Sequence, residues 1–255
     1  REVRKARETP SELTNFLRLH LNIVTDAAEM WLDINKWDLT KDEPLPELQG
    51  QTCYGGLDLA TSKDIAAFVL VFPLDTGSYA LLPRFWIPAD NVTARERRDK
   101  VPYQSWIRDG YVQTTEGDVI DFDVIRADIN SLGAVYDIKE IAADPWNSTQ
   151  IQTQLIGDGF EVFKFGQGFA SMNSPAKEFE RLVTSGRIIH GRHPVLRWMA
   201  GNVVIKKDPA GNIMPDKARS SMKIDGIVSA IMGLGRSMVA TDDTSAYEEH
   251  GLTVI

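Results

Sequence analysis

The stretch YGGLDLATSKDIAAFVLVFP, residues 54–73, decides how the rest of the chain is read. Its first half alternates, with the acid Asp58 standing between Leu57 and Leu59, and its second half is almost wholly apolar from Ile65 onward. That pattern fits two strands joined by a short polar turn. Asp is depleted in strands because its side chain packs poorly and competes for backbone hydrogen bonds. A mid-strand carboxylate flanked by leucines therefore needs a cation or hydrogen-bond donors.

Working outward, a third strand at 79–87 completes an antiparallel meander after strands 54–59 and 65–72. The spacing then turns helical. Thr93-Ala94-Arg95-Glu96 is a capping box, and the helix it opens is predicted to run to about Asp109. The amphipathic segment DVIRADINSLGAVYD leads into the short apolar run IKEIAAD, and STQIQTQLIGDG leads into FEVFKFG. Helix followed by strand, twice, implies parallel strands with helical crossovers. Meander first and crossovers afterwards make a mixed α/β sheet rather than a doubly wound one. A helix at 174–185 follows, then a β-hairpin with turn DPAGN between NVVIKK and IMPDKAR, then a last helix from about Ile224 to Met238. Upstream, residues 1–50 read as a helical lead-in and linker, with a capping box at Thr9-Pro10-Ser11-Glu12 and the pattern-breaking DEPLPELQG. Residues 51–238 form the main domain, and 239–255 read as an acidic, flexible tail.

A chain of 255 residues that is 43% apolar buries a sizeable core, which excludes disordered and fibrous classes. It begins with Arg1 and reads as part of something longer. Cys53 is the single cysteine, so no internal disulfide forms, and no apolar run reaches the roughly 18 residues of a membrane span. A cytoplasmic-type compartment fits. The net charge of −8 argues against a nucleic-acid partner unless a local patch overrides it. One such patch exists: between 201 and 223, Lys206, Lys207, Lys217, Arg219 and Lys223 face only Asp208 and Asp216.

Two further acids join Asp58. Asp144 ends IKEIAAD, and the carboxyl ends of parallel strands are where sites are assembled. Asp225 stands at the start of the last helix, at the edge of the apolar stripe 224, 227, 228, 231 and 234. Each has an ordinary reading: Asp144 before Pro145 starts a turn, and Asp225 complements the helix dipole. A metal explains all three at once, since carboxylates are the hard oxygen ligands of Mg²⁺ and Mn²⁺. His190 and His193 lack cysteine partners and helical i,i+4 spacing, so they read as loop residues rather than zinc ligands.

The motifs YGGLDLATSKDIAAFVLVFP, ADPWNSTQIQTQLIGDG, FGQGFASMNSPAKEFERLVTSGRIIHGRHPVLRWMAGNVVIKKDPAGNIMPDK and KIDGIVSAIMGLGR together resemble the C-terminal half of large terminase subunits of tailed bacteriophages, over about residues 10–238. The resemblance implies a ribonuclease-H-like nuclease domain, three antiparallel strands followed by parallel strands with crossover helices, that cuts concatemeric DNA into genome units. No G-x-x-x-x-G-K-[ST] is present, so residues 1–50 resemble the end of an ATPase motor and its linker. In that family the acids occupy the first strand, the fourth strand and a C-terminal helix, which here are Asp58, Asp144 and Asp225. Asp121, Asp123 and Glu140 are alternatives for the middle position. The resemblance further implies two divalent cations, Mg²⁺ or Mn²⁺, with Asp58 bridging them and Asp144 and Asp225 each holding one. Lys223 would offset charge or contact the scissile phosphate, and the basic patch would hold double-stranded DNA. Implied partners are the portal protein, the small terminase subunit and the ATPase domain of the same polypeptide, in the host cytoplasm at the procapsid, with no membrane. A docking module between motor and portal, or a resolvase-type nuclease of the same fold, are the alternative readings.

Overall fold

The computed structural model describes residues 30–249 apart from 41, 60–63, 91, 146–147 and 221, with side chains described as far as 240. The capping box at Thr9 lies outside the described residues. Strands β1 (Thr52–Leu59), β2 (Ala66–Pro73) and β3 (Tyr79–Pro88) pair antiparallel as a meander. Strands β4 (Gln113–Thr115), β5 (Asp137–Ala143), β6 (Val162–Lys164) and β7 (Ile188–Ile189) complete a seven-stranded sheet of order β4-β3-β2-β1-β5-β6, with β7 also on β3. β5 runs parallel to β1, and β6 parallel to β5. This is the mixed α/β sheet of a ribonuclease-H-like core. The two short strands β4 and β7, both parallel to β3, add to the order read from the sequence. The hairpin of β8 (Ile205–Lys207) and β9 (Ile213–Pro215) stands apart as a sheet of its own.

The helices are α1 (Ile34–Trp37), α2 (Val92–Asp99), α3 (Tyr103–Arg108), α4 (Phe122–Gly133), α5 (Thr149–Gly157), α6 (Phe169–Thr184), α7 (Pro194–Ala200) and α8 (Asp225–Glu249). β2 explains the layering. Phe68, Leu70 and Phe72 meet Ile125, Ile129 and Ile151 of α4 and α5 on one face, while Ala67, Val69 and Val71 meet α6, α7 and α8 on the other. A strand covered on both faces loses its polar alternation, hence the run AAFVLVF.

Three helix boundaries differ from the sequence reading. The segment expected to be one helix from Thr93 to Asp109 is two, because Pro102 disfavours helical conformation before it and Lys100 turns the chain at φ 54°. α6 begins at Phe169, not at Ser174, which puts Pro175 inside the helix, where it is buried and leaves the Ser171 carbonyl without its usual donor. The backbone of α8 continues past Met238 to Glu249, so the helix extends into the segment read as tail. The described part of the lead-in is packed rather than loose: Trp31, Leu32 and Trp37 enter the core with α6 and α7.

Candidate functional site

Two glycines bring the site together. A Cβ at Gly56 of β1 would lie 1.9 Å from the Ser229 carbonyl oxygen, and one at Gly233 would lie 2.9 Å from the Tyr54 carbonyl oxygen. Only hydrogen at both positions lets α8 lie directly on β1. That close approach carries Asp225, the first residue of α8, to the carboxyl end of β1 where Asp58 sits. The third acid arrives by register. Leu57 pairs with Ala143 across the parallel strands, and the Asp144 N–H donates to the Leu57 carbonyl at 3.4 Å, so Asp58 and Asp144 leave adjacent strands side by side. The Asp144 carbonyl is then held by Gln152 Nε2 at 3.0 Å and by the Ser148 hydroxyl, both from buried residues.

The cation that Asp58 requires is Lys217. Its Nζ stands 2.8 Å from Asp58 Oδ1, 2.5 Å from Oδ2 and 3.5 Å from Asp225 Oδ1. Gln167 Nε2 donates to Asp58 Oδ1 at 3.0 Å, whereas the buried Oδ2 has the ammonium close by but no well-angled hydrogen bond. Asp58 is 1% exposed and Asp225 5%, so water screens these charges little. Burial, and after it the charge on Asp58, push the Asp225 carboxyl up to about 7 against the pull of Lys217. For Lys217, burial of the ammonium works against its charge, but Asp58, Asp225 and Asp144 outweigh it and hold its pKa above the usual lysine value. All three acids therefore act electrostatically on one ammonium. Among the described residues no three His, Cys, Asp or Glu side chains are grouped tightly enough to hold an ion as they stand. The lysine lies between Asp58 and Asp225.

The other candidates separate. Asp121 caps α4, accepting from the Asp123 N–H at 2.8 Å, and Glu140 pairs with Arg236. Of the basic patch, Lys217 is committed to Asp58, and Lys223 pairs with Asp64. Lys206 and Lys207, adjacent on β8, point to opposite faces of the hairpin, so they do not line one groove together. Arg219 is exposed, with Asp216 3.7 Å away. His190 is buried, stacked on Trp37 at 4.7 Å, with Nε2 3.0 Å from the Trp37 carbonyl. His193 caps α7 through Nδ1, which accepts from the Leu196 N–H at 3.4 Å. Sequence reasoning missed Gln167, Ser148 and Gln152, which carry no signal without the fold. It also missed Asp64, six positions past Asp58 in the β1–β2 turn, whose charge reaches Asp225.

A family model described as terminase large subunit, endonuclease domain, matches residues 1–240. The chain is 33% identical over 237 residues to the terminase large subunit of Enterobacteria phage HK97, covering 92% of this chain and 47% of that protein. It is 30% identical over 236 residues to Protein YmfN of Escherichia coli (strain K12), covering 88% of this chain and 52% of that one. The crystal structure of the HK97 bacteriophage large terminase matches with a TM-score of 0.76 at 32% identity, covering 92% of this chain and 49% of that one. The chain spans about half the length of these relatives.

Proposed function

The chain belongs to the terminase large subunit endonuclease domain family, and from that premise we propose that it is a metal-dependent DNA endonuclease that cuts concatemeric viral DNA into genome units. One observation carries the reading: Asp58 and Asp225 close on the single ammonium of Lys217, and Asp144 leaves the neighbouring parallel strand beside Asp58. Three carboxylates against one positive charge leave the site negative. The hard oxygen donors and the buried Asp58 Oδ2 without a hydrogen bond suit divalent cations, Mg²⁺ or Mn²⁺.

Asp58, Asp144 and Asp225 are the residues that would hold such ions. Ions held there would supply charge neutralisation at the phosphoryl oxygens and a water activated for attack on the phosphodiester. The remaining work falls to the chain itself. Ser148 and Gln152 fix the backbone of Asp144, and Gln167 orients Asp58. Asn173 Oδ1 accepts from the Ile213 N–H at 2.9 Å and pins the hairpin to α6, and Lys206 and Arg219 would meet backbone phosphates of double-stranded DNA without reading its sequence. The ATPase domain of the same polypeptide, the portal protein and the small terminase subunit are the partners this role requires, in the host cytoplasm at the procapsid. No helix among the described residues is long and apolar enough to cross a membrane.

The test is incubation of the purified chain with supercoiled plasmid and Mg²⁺ or Mn²⁺. Nicking and linearisation are expected, abolished by EDTA and reduced at least about a hundredfold in Asp58→Ala. Cleavage retained by a folded Asp58→Ala chain would overturn the assignment of the acids and favour a docking role for the domain.

A further inference from the structure

Resting on the metal reading above, we propose that the Lys217 ammonium occupies the place of a divalent ion between Asp58 and Asp225, so that metal loading and the departure of Lys217 are one exchange. The distances of 2.5 and 2.8 Å to Asp58 and 3.5 Å to Asp225 put the ammonium between the two carboxylates that a metal would have to join. An ion and the ammonium cannot share that space, because like charges so close in a water-poor site repel strongly.

The surroundings make departure easy. Lys217 is 37% exposed along its side chain although its tip lies among buried acids, so rotating its four-carbon stem empties no core cavity. Its backbone belongs to a turn closed independently of the lysine: Asp216 Oδ1 accepts from the N–H groups of Ala218 at 3.0 Å and Arg219 at 3.2 Å. The Asp216 N–H bonds the Val204 carbonyl at 2.8 Å, which fixes the base of the hairpin. The turn therefore stays formed while the side chain swings. Without the ion, the lysine offsets carboxylates that would otherwise repel one another in the fold. With the ion bound, the freed ammonium becomes a mobile cation on the exposed side of the site, beside Arg219. Metal-free and metal-loaded states thus keep a compensating positive charge at the acids, and empty carboxylates are never left facing one another.

Two measurements on the full chain decide this. Mn²⁺ binding, followed by the electron paramagnetic resonance of free Mn²⁺, is compared between the unmodified chain, Lys217→Met and Asp58→Asn, with circular dichroism to check folding. Removing the competing charge is expected to tighten Mn²⁺ binding about tenfold or more in Lys217→Met, while Asp58→Asn loses it. Equal or weaker binding by a folded Lys217→Met chain, with Asp58→Asn still losing it, overturns the exchange and leaves the metal reading standing. Absence of Mn²⁺ binding in both the unmodified chain and Lys217→Met overturns both. Because Lys217→Met loses an ion pair and could fail to fold, the second measurement needs no variant. Acetylation of Lys217 by an N-hydroxysuccinimide ester, read by peptide mass spectrometry, is expected to accelerate about tenfold when Mn²⁺ is added, with exposed Lys36 unchanged as the internal reference. An unchanged Lys217 rate at saturating Mn²⁺ overturns the proposal.

Discussion

Where residues 30–40 fold against α7 and His190, the molecule keeps its charges at the rim and its aromatic surface inside. Arg197 holds Asp38 through two hydrogen bonds of 2.7 and 2.8 Å, and Arg192 reaches Asp42 at 3.0 Å, both toward solvent. Beneath them Trp37 is 2% exposed and stacks on His190, and the Trp31 N–H bonds the Val203 carbonyl at 3.0 Å. At the carboxyl end of β1 the arrangement is inverted: Asp58 and Asp225 are buried and share one ammonium. Buried ion pairs are weak sources of stability, since desolvation offsets much of their attraction. The first region holds the lead-in on the domain, while the second concentrates charge that folding alone would not require.

That contrast can be broken at several points. The largest effect is expected at the seam beneath the acids. Gly56→Ala drives a methyl group into the Ser229 backbone, which cannot yield as a side chain would, so α8 must leave β1. A loss of about 5 kcal/mol or more, or outright failure to fold, is expected in urea denaturation. Wild-type stability in this variant would mean that α8 does not lie on β1 as described.

Trp37→Ala should cost about 3–5 kcal/mol by the same assay, through the cavity left under the lead-in. It should leave Mn²⁺ affinity unchanged, because Trp37 touches none of the acids. A matching loss of metal binding would show that the two regions are coupled rather than separate.

Acid should weaken the packing around His190 and His193. Burial lowers the pKa of His190 and, with Arg84 adding to it, pushes that of His193 down to about 3. The unfolded chain, whose histidines titrate near 6.5, then binds more protons than the folded one, so stability falls as pH drops below 6.5. His193→Asn keeps a capping side chain for α7 without a titrating ring, and its urea midpoint should fall less between pH 6.5 and 4.5. Equal slopes in both chains would remove His193 from the account. The smallest change is expected from Arg197→Ala, about 0.5–1 kcal/mol, because its pair with Asp38 is open to solvent.

Much of this layout was legible in the sequence. The apolar run AAFVLVF marked a strand, and Asp58 was conspicuous because a carboxylate among strand leucines demands a partner. Helix ends were less legible: Pro102 split one expected helix in two, and Pro175 lies inside α6 although prolines usually start helices, because local preference yields to the packing of neighbours. The histidines illustrate the same limit. Spacing argued against a zinc site, but nothing in it indicated that one ring would stack on a tryptophan from the lead-in and the other cap a helix.

By itself the sequence determined the order of the main strands and crossover helices, the kinship of the chain, and that Asp58 stood in a place ordinary folding does not favour, because period, turn chemistry and residue type are local properties. The tertiary structure alone decided what those acids face. Lys217 reads as one member of a basic stretch, and a run of charge carries sign without direction. It meets Asp58, 159 positions away along the chain, only because Gly56 and Gly233 let a helix settle onto a strand and a turn after the hairpin aims one side chain into the gap.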